Sequence, residues 1–148
     1  VAAPLSANQI VAALKAAGLT VKEVPGWRTN NRNHVKAWGP VRGVMIHHTA
    51  SGDGQGIIDL CFSGRSDLPG PLCLGVIDKK GVVHLVGNGR ANHAGDQDGT
   101  GVDGNSLYYG FECVNRGDGK DPWPEVQYKA IVSASAAILR AHDWDDNV

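Results

Sequence analysis

Between Ser6 and Gly18 the apolar residues Ile10, Val11, Leu14 and Ala17 recur at helical spacing, with a capping residue before them and a stop after. This predicts a short amphipathic helix. Residues 19–24 read as a strand, and Pro25-Gly26-Trp27 with the polar run 28–34 reads as a loop. Residues 41–47 form an apolar run that ends in polar residues, the pattern of a buried strand carrying side chains to the edge of a site. A helix is expected over 54–62, with Ile57, Ile58 and Phe62 on one side, ending at Ser63-Gly64. The runs 72–78 and 82–86 flank Lys79-Lys80-Gly81, which predicts a hairpin. Residues 87–104, rich in Gly, Asn and Asp, are too many for an inert connector and are expected to fold over the site. A strand over 107–114 follows. The longest helix is expected over 124–141, with Pro124 in its first turn and Val126, Ala130, Ile131, Ala134, Ala137 and Ile138 on one face.

Helices alternate with strands and a hairpin lies among them, so the fold class is α/β, a single domain with a central mixed β-sheet flanked by helices. A chain of 148 residues without internal repeats suits one domain with one core. Fourteen basic and fifteen acidic side chains leave a formal charge of -1, which gives no general attraction to nucleic acid. No run reaches the length of a membrane span, so no membrane partner is expected. The start, Val1-Ala2-Ala3-Pro4, has no signal-peptide pattern, which points to synthesis in a cytoplasm, and a monomer is expected. Three cysteines, Cys61, Cys73 and Cys113, are too few for a disulfide scaffold. A Cys61–Cys73 bridge and reduced buried thiols both remain open.

Among six histidines, His47 stands out because an apolar strand precedes it and the loop-like Thr49-Ala50-Ser51-Gly52 follows it. That setting holds an imidazole rigidly, as a metal ligand requires. Strand alternation sends His47 and His48 to opposite faces, so only one of the pair should bind a given ion. Glu112 is a carboxylate inside an otherwise apolar strand. It is either a solvent-face residue or a general base whose pKa burial would raise. His93, at the head of the Gly-rich segment, either orders that loop or touches substrate. The polar run after Trp27 is either a solvated loop or a saccharide-contacting rim, with the Trp27 ring as its platform.

Ile46-His47-His48-Thr49-Ala50, Gly70-Pro71-Leu72, Asp78-Lys79-Lys80-Gly81-Val82-Val83, Gly89-Arg90-Ala91-Asn92-His93-Ala94-Gly95 and Gly110-Phe111-Glu112 occur in this order. Together they resemble the zinc-dependent N-acetylmuramoyl-L-alanine amidases related to peptidoglycan recognition proteins. The segment from Trp27 to His34 is further similar to amidase domains of endolysins from phages of mycobacteria and related actinobacteria. The resemblance implies a peptidoglycan recognition protein-like fold, with an extension over 1–26 and an amidase core over 27–148. It implies that His47 binds Zn2+, that Glu112 helps activate water, and that His93 lines the cleft. His48, Asn92 and Trp27 join His93 in the expected substrate-contacting set.

Family members complete the metal site with a Gly-His segment after the long helix and a further Asp or Cys, which here are expected beyond Val148. His142, the only downstream histidine, is the remaining candidate ligand within the sequence. Where relatives carry a tyrosine near the site, this chain has Leu72-Cys73-Leu74, which leaves more acid/base work to Glu112. The expected partner is bacterial peptidoglycan, cut by an endolysin acting on the cell wall. Two other readings stay open: a peptidoglycan-binding module without hydrolysis, and a cysteine hydrolase. The three cysteines lack the strand-to-helix setting that activates a nucleophilic thiol.

Overall fold

Ser6 opens the first helix through a reciprocal cap. Its hydroxyl accepts the Gln9 N–H at 3.3 Å, and the Gln9 side-chain oxygen accepts the Ser6 N–H at 2.8 Å. In this computed structural model, which describes residues 1–95 and 101–144, the elements follow in a simple order. They are α1 (Ala7–Ala16), β1 (Val21–Glu23), a 3-10 turn (Trp27–Thr29), β2 (Gly43–His48), α2 (Gln55–Ser63), β3 (Gly64–Arg65) and β4 (Leu68–Pro69). After these come β5 (Gly75–Ile77), β6 (Val83–Leu85), α3 (Gly104–Leu107), β7 (Tyr108–Cys113) and α4 (Glu125–Ala141).

Five strands form one sheet in the order β1-β6-β5-β7-β2. The β5–β6 hairpin pairs antiparallel and the other neighbours pair parallel, so the sheet is mixed, as the sequence predicts. Side chains alternate between its two faces. One face presents Ile77, Leu85, Tyr109, Phe111 and Cys113 to Ile10 and Leu14 of α1 and to Ala134 and Ile138 of α4. The other presents Val76 and Val86 to Ile57, Ile58 and Cys61 of α2. Parallel pairing of β2 with β7 matches Met45 to Gly110 and His47 to Glu112. Both pairs share the α2 face, and in-register neighbours stand about 5 Å apart.

Local differences from the sequence reading have local causes. The first strand is shorter than expected, because only Val21–Glu23 pair with β6. Pro124 stands at the N-cap of α4 with extended backbone, φ -56° and ψ 143°, rather than in its first turn. The β3–β4 ribbon and the four-residue α3 are too short to show periodicity. Asp103 caps α3 by accepting the Ser106 N–H at 3.2 Å. Residues 96–100, within the segment expected to fold over the site, lie outside the described residues. All three cysteines are buried and free. Among the described residues no helix is long and apolar enough to cross a membrane.

Gln127 departs from the apolar face of α4. It is completely buried, and its Nε2 donates to the Ile77 carbonyl at 3.1 Å and the Val114 carbonyl at 2.9 Å. The helix is thereby tied to the carboxyl ends of two strands. Replacing Gln127 by Leu keeps the volume but removes both donors, so urea unfolding should reveal a loss of about 1–3 kcal/mol. An unchanged unfolding midpoint would show that the amide carries no such tie.

Candidate active site

Strand β2 delivers His47 to the α2 face, where its Nε2 lies 3.0 Å from Nδ1 of His93. His93 is buried, and its segment is held by Asn105, whose Oδ1 accepts the N–H groups of His93 and Ala94, each at 2.8 Å. Burial, and then the neighbouring His47, push the His93 pKa down to about 4. The nearby Tyr108 carbonyl favours the charged ring but does not prevail. His47 is shifted down as well, first by burial and then by His48. Two neutral imidazoles therefore face each other at neutral pH, and a neutral imidazole is the form that binds metal.

Glu112 flanks this pair. Burial alone pushes its pKa up to about 8, and its Oε2 is buried without a hydrogen-bond partner. A carboxyl in this state exchanges a proton near neutrality, as a general base or acid must. It opens on a cavity of about 170 Å³ whose other lining residues include Thr49, Ile57, Leu60, Leu72 and Arg65. Aliphatic walls explain the desolvation, and Arg65 is the one cation on the lining.

A family model described as N-acetylmuramoyl-L-alanine amidase matches residues 37–148, which contain His47, His93 and Glu112. The chain belongs to this family. No curated protein sequence matches it. Among solved structures it is similar to two N-acetylmuramoyl-L-alanine amidases from Clostridium intestinale URNW, LysCS and LysC. Both are 16% identical, with TM-scores of 0.59 and 0.58; the alignments cover 86% of this chain and 78% and 79% of theirs. It is also similar to the Drosophila peptidoglycan recognition protein PGRP-SA, 16% identical, TM-score 0.59, covering 86% of this chain and 76% of that one. At this identity the likeness fixes the fold, a peptidoglycan recognition protein-like α/β domain.

Within this amidase-family chain the predicted site residues separate. His47, His93 and Glu112 come together. His142 does not join them, which corrects its place as a candidate ligand. Its Nε2 is hydrogen-bonded to the Tyr109 hydroxyl at 2.8 Å, on the opposite face of the sheet, and its ring stacks on Trp144. Trp27 is corrected too. It is 2% exposed in the α1–α4 core, with Nε1 donating to Glu23, so its ring offers no platform to a sugar. Asn92 spends its amide on the Pro69 carbonyl at 2.7 Å and on Arg90, bracing the loops. His48 is exposed at the cavity edge, and its Nδ1 accepts the Ala50 N–H.

Arg65 and Asn105 were missed by the sequence reading. Each lies in a short polar segment without periodicity, and only the fold brings it to the site.

Opposite pKa shifts give the metal-free protein a distinctive pH response. Folding lowers His93 from 6.5 to about 4, so the unfolded chain binds more protons there and stability rises with pH until it levels above 6.5. Folding raises Glu112 from 4.5 to about 8, so the folded chain binds more protons and stability falls between those values. Above 6.5 only the Glu112 slope remains. Denaturant titrations should show wild-type stability falling from pH 6.5 to 8 and Glu112→Gln staying flat. Parallel curves for the two proteins would contradict the buried carboxyl.

Proposed function

We propose that this protein is a zinc hydrolase that cleaves the amide bond between N-acetylmuramic acid and the L-alanine of the peptidoglycan stem peptide. The observation that carries this reading is the in-register pair of His47 and a desolvated Glu112 on the face beneath α2, inside the segment that matches the amidase family. The proposed setting is lytic: an endolysin made in a host cytoplasm and acting on the bacterial cell wall.

The residues suit zinc in kind. In the tautomer in which His47 Nε2 donates to His93 Nδ1, the His47 Nδ1 lone pair is left for an ion, and a second-sphere partner on the other nitrogen is the usual arrangement of a metal-bound histidine. Among the described residues no group of three or more His, Cys, Asp or Glu side chains is arranged to hold a metal ion, and His47 is the donor we assign. Zinc, when bound, supplies Lewis acidity that lowers the pKa of water to about 7 and polarises a carbonyl oxygen.

Glu112 does the proton work. Its carboxylate takes a proton from the attacking water as the water oxygen bonds to the lactyl carbonyl carbon. As the C–N bond breaks, the same carboxyl returns the proton to the departing L-alanine nitrogen, which leaves as an amine. The raised pKa lets one group serve both steps. His93 acts through His47, its Nδ1 lying 3.0 Å from the His47 Nε2.

Replacing Glu112 by Gln should reduce release of stem peptide from peptidoglycan about a hundredfold or more while stoichiometric zinc stays bound. Metal analysis and a peptide-release assay on the same preparations check this. Wild-type turnover by the variant would remove Glu112 from the mechanism. Muropeptide binding without hydrolysis by the wild-type protein would instead make the chain a recognition module.

A further inference from the structure

Gly110 lies in the middle of β7 and faces the site, since it is in register with Met45 and two residues before Glu112. Its backbone is that of an extended strand, outside the left-handed region, so no turn demands a glycine there. A glycine inside a strand weakens it, and its usual reason is close approach of another group. Here that group is His93. A Cβ on Gly110 would stand 2.6 Å from His93 Nδ1 and 2.7 Å from its Cδ2, closer than real Cβ contacts come. The imidazole therefore lies over the bare Cα of β7.

The other side of His93 is fixed by the backbone. Asn105 is 8% exposed, and its Oδ1 gathers the N–H groups of His93 and Ala94. The adjacent Gly104 is bare for a similar reason, because a Cβ there would press on Ala94 Cβ and on Met45. Asn105 thus sets where the segment enters, and Gly110 sets how deep the ring sinks. With both in place His93 Nδ1 lies 3.0 Å from His47 Nε2.

We infer that Gly110 and Asn105 are positioning residues: a bare strand position and a buried amide that together seat His93 against His47 and so fix the orientation of the His47 ring. The catalytic consequence rests on the proposed amidase reading, but the seat itself does not. Neither residue touches the reacting atoms. Each acts through the two imidazoles.

Two measurements on metal-free protein test the seat without reference to activity. In histidine-labelled protein, NMR cross-relaxation between the His47 and His93 rings should be present in wild type, absent in Gly110→Ala and Asn105→Ala, and retained in Asn105→Asp, which keeps the accepting oxygen. Thermal melting should show Gly110→Ala losing stability in the wild-type background but none when His93 is already Ala, because the added methyl then enters vacated space. Zinc-loaded Gly110→Ala should release stem peptide tenfold or more slowly than wild type, since an ångström of misplacement can cost about a hundredfold. Persistent ring contact in Gly110→Ala, or an equal melting loss in the His93→Ala background, would overturn the inference. If the wild type releases no peptide, the amidase reading fails, while the ring-contact and melting results still decide the seat.

Discussion

The parallel register of β2 against β7 is the constraint on which the rest depends, because it places His47 beside Glu112 and Met45 beside Gly110. A slip of one residue would turn one strand's set to the opposite face and separate the imidazole from the carboxyl. The register is held by burial. Tyr109, Phe111 and Cys113 are each fully enclosed on the α1–α4 face, so the alternate positions of β7 are committed to the α2 face. The core on one side thus fixes the chemistry on the other.

That arrangement concentrates unfavourable desolvation in one place. Glu112 is pushed up to about 8 and His93 down to about 4, and each has a buried polar atom without a partner. Left alone, such groups cost stability. They become intelligible as a site in which a cation and a polar substrate supply the missing interactions. Other ionisable groups of the interior are tied to protein partners. Tyr109 bonds both Leu5 and His142, and Asp78 bonds His84 and the turn N–H groups of Lys80 and Val82.

Much of this was legible in the sequence. The α1 face, most of the α4 face and the β5–β6 hairpin follow from apolar periodicity. Two readings are corrected: Val126 of the expected α4 face is 53% exposed, and β2, expected to be buried, is an edge strand with Ile46 44% exposed, because no further strand pairs beyond it. Trp27 was misread because an aromatic followed by a polar run looks like an exposed rim, and the sequence does not show that the 3-10 turn folds the ring inward against the core. His142 was misread because position after a helix says nothing about which sheet face the helix end reaches. The partnership of His93 with Gly110 depends on a close approach across the fold. Its only trace in the sequence is Gly110, a glycine interrupting a good strand.

The central claim is that His47 and Glu112 belong to one hydrolytic site for the bond between sugar chain and peptide. Mass spectrometry of purified sacculi treated with the zinc-loaded protein tests it most directly. The account predicts stem peptides with a free L-alanine amino group and glycan strands whose N-acetylmuramic acid keeps its lactyl carboxyl, with both products lost on chelation and restored by zinc. Cleavage within the glycan, cleavage within the peptide, or products that persist undiminished after chelation would contradict it.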